Sequence, residues 1–293
     1  MPAKKTAKTQ PQLKWLPDKS FELTLTLPWS KVQKTYQQLL KKTASQITLK
    51  GFRKGKAPLD LVEKSIDTNR LYQQVIQQLL PQAFAEAVKK LKLKPAVSPK
   101  IEVVSLEKGK DWVFKAISCE LPTVSLGDYK KLVRSALAPA KIWTPGKDGD
   151  EEKPKQSQSQ KLSLIFKALL ENIKLTLPQI LVEESLNQRL ARLLADLEKL
   201  GLTLDQYLAS VGKTHQQLRA NYQKEVENTL KLDLILQAIA DDCQITVSDK
   251  ELEKVIAASP DAQSKKAFSQ PSQKAYLKTL IRKQKAIDYL LSL

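Results

Sequence analysis

The chain has 293 residues, of which 42% are apolar, so it is long enough for two domains and can bury a real core. Of its +18 net charge, +14 lies in residues 1–100, so we expect this third to meet a polyanion such as RNA, an anionic membrane or an acidic protein. One histidine, two distant cysteines, no phosphate-binding glycine loop and no long apolar run argue against histidine-based catalysis, metal or redox sites, nucleotide binding and membrane insertion.

The first third alternates between strand and helix patterns. Residues 20–27 alternate apolar and polar side chains, which predicts a half-buried strand ending at Pro28. A helix follows, with Ser30 as its expected cap, and a second helical region is expected to kink or restart at Pro81. Residues 101–107 and 111–122 predict two strands joined by a hairpin turn. We therefore predict an α+β domain, an antiparallel sheet with long helices, over residues 1–137.

Residues 51–58, which read GFRKGKAP, lie between the two helical regions; we call them the GFRKGKAP loop. Gly51 and Gly55 allow a positive φ on both sides of a tip, and Pro58 suits the first turn of the following helix. The loop can therefore project as a rigid finger.

The tip of this loop carries one apolar ring and three cations. Phe52 supplies the ring, Arg53 a planar guanidinium suited to carboxylate or phosphate, and Lys54 with Lys56 adds point charge. Two readings are open: Phe52 docks in a partner's pocket, or it tucks into its own domain beneath a solvated loop.

Residues 138–160 are rich in proline, glycine, glutamine and serine, which predicts a linker. From residue 161 to 293 nearly every segment has a helical pattern, and Thr203, Thr214 and Ser248 each start a capping box. Gly201 is expected to end the helix whose leucine stripe runs through residues 182–200. We expect that stripe to be bundle core rather than a binding surface.

Several of these segments occur together in one known family. The loop resembles the ribosome-docking signature of bacterial trigger factor, a chaperone family that sits where nascent chains leave the ribosome. Residues 79–103 and 126–132 are similar to the family's N-terminal domain, and residues 180–208 and 245–253 to its helical C-terminal domain. The resemblance implies an α+β ribosome-binding domain at 1–137 and an all-α, substrate-binding chaperone domain at 161–293.

The resemblance also assigns roles and partners. It implies that Phe52, Arg53 and Lys54 dock on a ribosomal protein and rRNA beside the exit tunnel, supported by Gly51, Gly55, Lys56 and Pro58. Nascent or unfolded polypeptides are the expected clients, held without ATP, cofactor, metal or membrane. Homodimerisation of the free chain stays open, and the N-terminus lacks the apolar run of a secretory signal, so we expect a cytoplasmic protein.

One family feature is missing from the pattern. Trigger factors usually carry an FKBP-like prolyl isomerase domain between the two matched regions, whereas this sequence has only the linker at 138–160 there. A polar stretch of that length cannot form an apolar prolyl pocket, so we predict no isomerase activity and no catalytic residues. The alternatives are a foldase with residual isomerase activity and a free RNA-binding protein, although no RNP-like aromatic pair or GxxG clamp supports the latter.

Overall fold

The computed structural model describes residues 12–48, 52–138, 158–257 and 270–293. Contacts divide the chain into two compact units: Met1–Leu121 with Pro178–Leu181, and Pro122–Leu177 with Val182–Leu293. The described residues form ten α-helices and four strands. The strands all belong to the first unit, so the predicted α+β region followed by an all-α region is confirmed.

An antiparallel sheet of four strands, in the order β1-β2-β4-β3, forms the base of the first unit. The strands are β1 Gln12–Trp15, β2 Ser20–Leu27, β3 Lys100–Ser105 and β4 Trp112–Cys119. The predicted strand at 20–27 and the predicted hairpin are both present, with Gly109 in the hairpin turn at φ 87°. Strand β1 was not predicted, because four residues are too short for an alternating pattern.

Three helices lie on the sheet: α1 Trp29–Gln46, α2 Leu59–Ser65 and α3 Thr68–Leu91. The predicted Ser30 cap is wrong, because α1 begins at Trp29, whose N–H donates to Asp111 Oδ1 at 2.9 Å. That cap comes from a residue 82 positions away and has no local signal. Of the predicted kink or restart at Pro81, the restart is wrong, because α3 runs unbroken through this proline and buries Leu80 and Ala87 on either side.

The core of the first unit lies between these helices and one face of strands β2 and β4. Side chains from both strands point to the helices and are at most 3% exposed: Phe21, Leu23, Leu25, Leu27, Trp112, Phe114 and Ala116. Each large apolar side chain buried in this way contributes about 1.5–3 kcal/mol relative to exposure to water. This core fixes α1 and α2, which flank the GFRKGKAP loop.

Seven of the described helices lie wholly or mainly in the second unit. They are α4 Tyr129–Leu137, α5 Gln158–Asn172, α6 Gln179–Lys199, α7 Leu204–Val211, α8 His215–Asp242, α9 Asp249–Ala257 and α10 Pro271–Leu291. The capping boxes at Thr203 and Thr214 are complete, and Ser248 exchanges hydrogen bonds with Glu251. Gly201 follows the end of α6 at φ 68°, as predicted.

The second core joins α4 to α5, α8 and α10. Tyr129 and Val133 of α4 pack in one buried cluster with Ile165, Ile239 and Leu290. Helix α4 therefore packs in the second unit, although it falls within the predicted 1–137 domain. The division of the chain into functional domains at 137 and 160 stays a prediction. Residues 139–157 of the predicted linker lie outside the described residues, and α5 begins at Gln158.

Candidate functional site

The described part of the GFRKGKAP loop, residues 52–58, leads into the start of α2; Gly51 lies outside the described residues. Two backbone hydrogen bonds close it. The N–H of Gly55 donates to the carbonyl of Ile47 at 3.2 Å, and the N–H of Lys56 donates to the carbonyl of Arg53 at 2.9 Å. The tip is therefore tied to the end of α1 by its own backbone.

The backbone conformation of the closed loop requires a glycine at position 55. Its φ is +75°, a left-handed conformation that side chains disfavour. A Cβ at this position would also lie 3.0 Å from the carbonyl oxygen of Ser45, so the loop backbone approaches α1 more closely than other residues allow. The prediction that Gly55 adopts a positive φ is confirmed.

The side chains of the tip reach the protein surface. Phe52 is 37% exposed, and Arg53, Lys54 and Lys56 are all exposed. In the described ranges, none of these three cations has a carboxylate oxygen within 4 Å. A ring and three unpaired positive charges thus share one short surface, which fits a partner that offers both anions and an apolar pocket.

The start of α2 differs in detail from the sequence prediction. Pro58 is the cap residue rather than part of the first turn, and α2 begins at Leu59. The carbonyl of Pro58 accepts the N–H of Leu61 and of Val62, each at 3.1 Å. Its φ of −58° suits this position as well as the first helical one.

Two leucines beside the loop were missed by sequence reasoning. Leu59 is 38% exposed and Leu61 45% exposed, whereas Val62 is fully buried. Successive residues lie about 100° apart around a helix, so Leu61 cannot share the inward direction of Val62. This angular offset could have indicated from the sequence that Leu61 is exposed. With Phe52, the two leucines add apolar area next to the cations.

Helix α2 is fixed to α1, which keeps this surface in place. The hydroxyl of Tyr36 on α1 donates to Glu63 Oε1 on α2 at 2.8 Å. Burial, together with the neighbouring Glu63 carboxylate, raises the pKa of Tyr36 well above its usual value, so the hydroxyl keeps its proton.

A separate apolar groove lies between α5 and α8 in the second unit. Leu162, Phe166 and Leu170 line it at four-residue spacing, with Lys167 and Lys224 among the other lining residues, and its volume is about 750 Å³. Ile165 and Leu169 of α5 are buried in the core of this unit, and Phe166 also packs against that core. Leu162 and Leu170 are half-buried along the groove.

The leucine stripe of α6 is partly core. Val182, Leu186 and Leu197 are buried, but Leu200 is 72% exposed. The expectation that the stripe is core therefore holds for its buried members and fails at Leu200.

Other chemistries find no support in the described ranges. The described residues contain no cluster of histidine, cysteine or carboxylate side chains able to hold a metal ion. A helix with the length and apolarity to cross a membrane is likewise not found among them. Cys119 is buried, and burial raises the pKa of its thiol to about 11, which fits a structural rather than a reactive thiol.

Comparison with known proteins identifies the family. The sequence model of the family described as bacterial trigger factor protein matches residues 11–140. The family model of the trigger factor C-terminus matches residues 146–292, so only residues 141–145 lie between the two matched regions. Trigger factors of Staphylococcus aureus strains JH9 and Newman are each 44% identical over 110 residues, which is 38% of this chain and 25% of theirs. The chain thus spans about a quarter of the length of these curated relatives.

A solved structure agrees at the level of the fold. It is a structure of the trigger factor chaperone, described for promiscuous substrate recognition in folding and assembly, and it matches with a TM-score of 0.63 at 13% identity. The match covers 96% of this chain and 99% of that one. With both halves of the sequence matched by the family's models, this chain belongs to the bacterial trigger factor family.

Proposed function

We propose that this chain is an ATP-independent chaperone that docks beside the ribosomal exit tunnel through the GFRKGKAP loop and shields nascent polypeptides. One observation carries the docking proposal. The loop exposes Phe52 with three cations that have no partner among the described residues, and it is tied to α1 by the Gly55 hydrogen bond. Family membership supports the same activity, and a cytoplasmic location follows from a ribosomal partner.

Each side chain of the tip has a distinct part in docking. Arg53 and Lys54 pair with phosphates of rRNA or carboxylates of a ribosomal protein, and Lys56 adds charge beside them. Phe52 enters an apolar pocket of the ribosomal protein, next to Leu59 and Leu61. Because part of the binding comes from exposed charges, it weakens as salt is raised.

Ribosome co-sedimentation tests the docking proposal. We expect Phe52→Ala/Arg53→Ala/Lys54→Ala to remain in the supernatant under conditions in which the wild-type chain pellets. A matched control is Lys89→Ala/Lys90→Ala, which removes the same charge from exposed positions on α3. Equal pelleting of wild type and triple variant would rule out the loop as the docking element. Strong binding of both to naked RNA would favour the free RNA-binding alternative.

The groove between α5 and α8 is the client surface that we propose. Leu162 lines that groove, whereas Leu164, 39% exposed on the same helix, is not among the lining residues. We expect Leu162→Asp to lose most of the wild-type ability to suppress aggregation of a denatured model protein. Leu164→Asp places the same charge on the same helix and should retain it. Equal loss in both variants would argue against the groove.

We further propose that the chain has no prolyl isomerase activity. Only residues 141–145 lie between the two matched family regions, and 23 largely polar residues at 138–160 cannot line a prolyl pocket. The test is refolding of a protein limited by proline isomerisation. An accelerated slow phase would restore the foldase alternative. Homodimerisation of the free chain is a further prediction.

A further inference from the structure

A cavity of the first unit lies between the end of β2, the first half of α1 and the second half of α3; we call it the α1–α3 cavity. Its volume is about 380 Å³, at the lower end of the range of about 300–1,000 Å³ found for small-molecule sites. Part of its lining is apolar. Leu25, Leu27 and Ala87 are at most 5% exposed, and Leu79 and Ala83 are half-buried. The cavity therefore has room for the apolar part of a small ligand.

The polar part of the lining carries an excess of positive charge. Lys31 and Lys34 on α1 and Lys90 on α3 line the cavity, and Glu86 is the one acidic side chain among its lining residues. All four side chains are exposed. In the ranges that the structure describes, none of the three ammonium groups forms an ion pair with a carboxylate. Three positive charges against one negative charge favour an anionic ligand.

A threonine hydroxyl without a partner opens into the same cavity. Thr35 lines the cavity and is only 7% exposed, yet its hydroxyl makes no hydrogen bond to another described residue. Fully enclosed side-chain oxygens and nitrogens of the described residues all have a hydrogen-bond partner, so Thr35 Oγ1 reaches the accessible space of the cavity. A nearly buried hydroxyl is costly to leave unpaired, and an oxygen of a ligand would satisfy it.

We propose that the α1–α3 cavity binds a medium-chain fatty acid. The carboxylate lies among the lysines and accepts a hydrogen bond from Thr35, which shares a face of α1 with Lys31 because the two are four residues apart. The alkyl chain packs against the leucines and alanines of the lining. An inorganic anion would leave the apolar lining uncovered, and an uncharged alkyl chain would leave the lysines without a partner.

The chain's own N-terminus does not match this cavity. Residues 1–11, which lie outside the described residues, contain three lysines and no acidic side chain, so their charge has the same sign as that of the lining. The cavity is also separate from the proposed docking element. Lys34 lies about 16 Å along α1 from Ser45, the residue that Gly55 of the GFRKGKAP loop approaches. Fatty-acid binding and ribosome docking can therefore fail independently.

Isothermal titration calorimetry at low salt tests the class of ligand. We expect decanoate to bind with a Kd on the order of 0.1–1 mM. Butyrate and inorganic phosphate lack the long chain, and decylammonium has the same chain with the opposite charge. Each should bind at least about tenfold more weakly than decanoate. Binding of any of the three as tight as that of decanoate would overturn the proposal.

Variants of the lining test the site. Lys34→Glu/Lys90→Glu should weaken decanoate binding at least about tenfold and strengthen decylammonium binding. Lys42→Glu/Lys89→Glu is the matched control, because it makes the same charge change at exposed positions of α1 and α3 that do not line the cavity. Unchanged decanoate binding in the first variant, or an equal loss in the control, would refute the site.

Thr35→Val tests the hydrogen bond, since it removes the hydroxyl and nearly keeps the shape of the side chain. It should weaken decanoate binding about threefold or more without lowering the unfolding midpoint, because the hydroxyl has no partner within the described fold. Undiminished decanoate binding would exclude this hydrogen bond.

Amide chemical shifts locate the bound ligand, and thermal melts establish that the variants are folded. Decanoate should shift the amide signals of residues 25–35 and 79–90. Shifts confined to the groove between α5 and α8, which also has Lys167 and Lys224 in its lining, would place the fatty acid there and overturn the assignment to the α1–α3 cavity.

Discussion

Gly55→Ala probes whether the shape of the GFRKGKAP loop matters for docking. The residue has φ +75°, which costs a residue with a Cβ about 1–2 kcal/mol. The added Cβ would lie 3.0 Å from the Ser45 carbonyl oxygen, so the loop must move away from α1 by a few tenths of an ångström. That movement stretches the hydrogen bond from Gly55 to Ile47. We expect the free energy of unfolding to fall by about 2 kcal/mol in total.

Gly109→Ala is the matched control. Gly109 has φ +87°, but a Cβ there would meet nothing within 4 Å. Both variants therefore carry the conformational cost, and only Gly55→Ala disturbs the closure of the loop. Urea unfolding followed by tryptophan fluorescence measures the loss of unfolding free energy, since Trp15, Trp29 and Trp112 all belong to the first unit.

Ribosome binding measures the effect of the disturbed loop closure on docking. We expect Gly55→Ala to weaken ribosome binding about tenfold, which corresponds to about 1.4 kcal/mol, because Phe52 and Arg53 move from their positions. Gly109→Ala should bind as wild type does. Equal affinity of the two variants would refute the idea that a closed loop presents the docking side chains.

Two further predictions concern the helical unit. The pKa of Glu251 is lowered to about 2. The causes are Lys285, whose Nζ lies 2.7 Å from Glu251 Oε1, and hydrogen bonds from Ser248. The stabilising effect of Glu251 is present above the unfolded pKa near 4.5 and is lost as pH falls towards 2, so Glu251→Gln should flatten the acid dependence of the unfolding midpoint. Tyr129→Phe removes the hydroxyl that donates to Asp242 at 2.8 Å and should cost about 1–2 kcal/mol in urea unfolding.

Elements with local signals were predicted well from the sequence. The alternating pattern at 20–27 matches strand β2, because one face of that strand is buried and the other is not. The capping residues Thr203 and Thr214 bond within three positions, so their spacing alone reveals the helix starts. Elements that depend on distant residues were missed. Strand β1 exists through pairing with β2, and α1 is capped by Asp111.

The packing of α4 in the helical unit also depends on distant residues and could not be predicted from the sequence. Its sequence has a helical pattern, and nothing local indicates which core it joins. The hydroxyl of Tyr129 donates to Asp242, 113 positions later, and also lies 3.3 Å from Cys243 Sγ. Burial and these two neighbours raise the pKa of Tyr129, so it stays protonated as a donor. Only the assembled fold reveals that contact.

The residues of the candidate site form two groups: exposed cations, and residues that contact the chain's own fold. Arg53 and Lys54 contact no carboxylate among the described residues, so their replacement has little to destabilise within the fold. Gly55 and Ala57 contact the chain's own α1 and core, and their replacement alters the fold first. A loss of ribosome binding at Arg53 or Lys54 with an unchanged unfolding midpoint therefore reports on a contact made outside the chain. The same loss at Gly55 accompanied by destabilisation reports on how the loop is held.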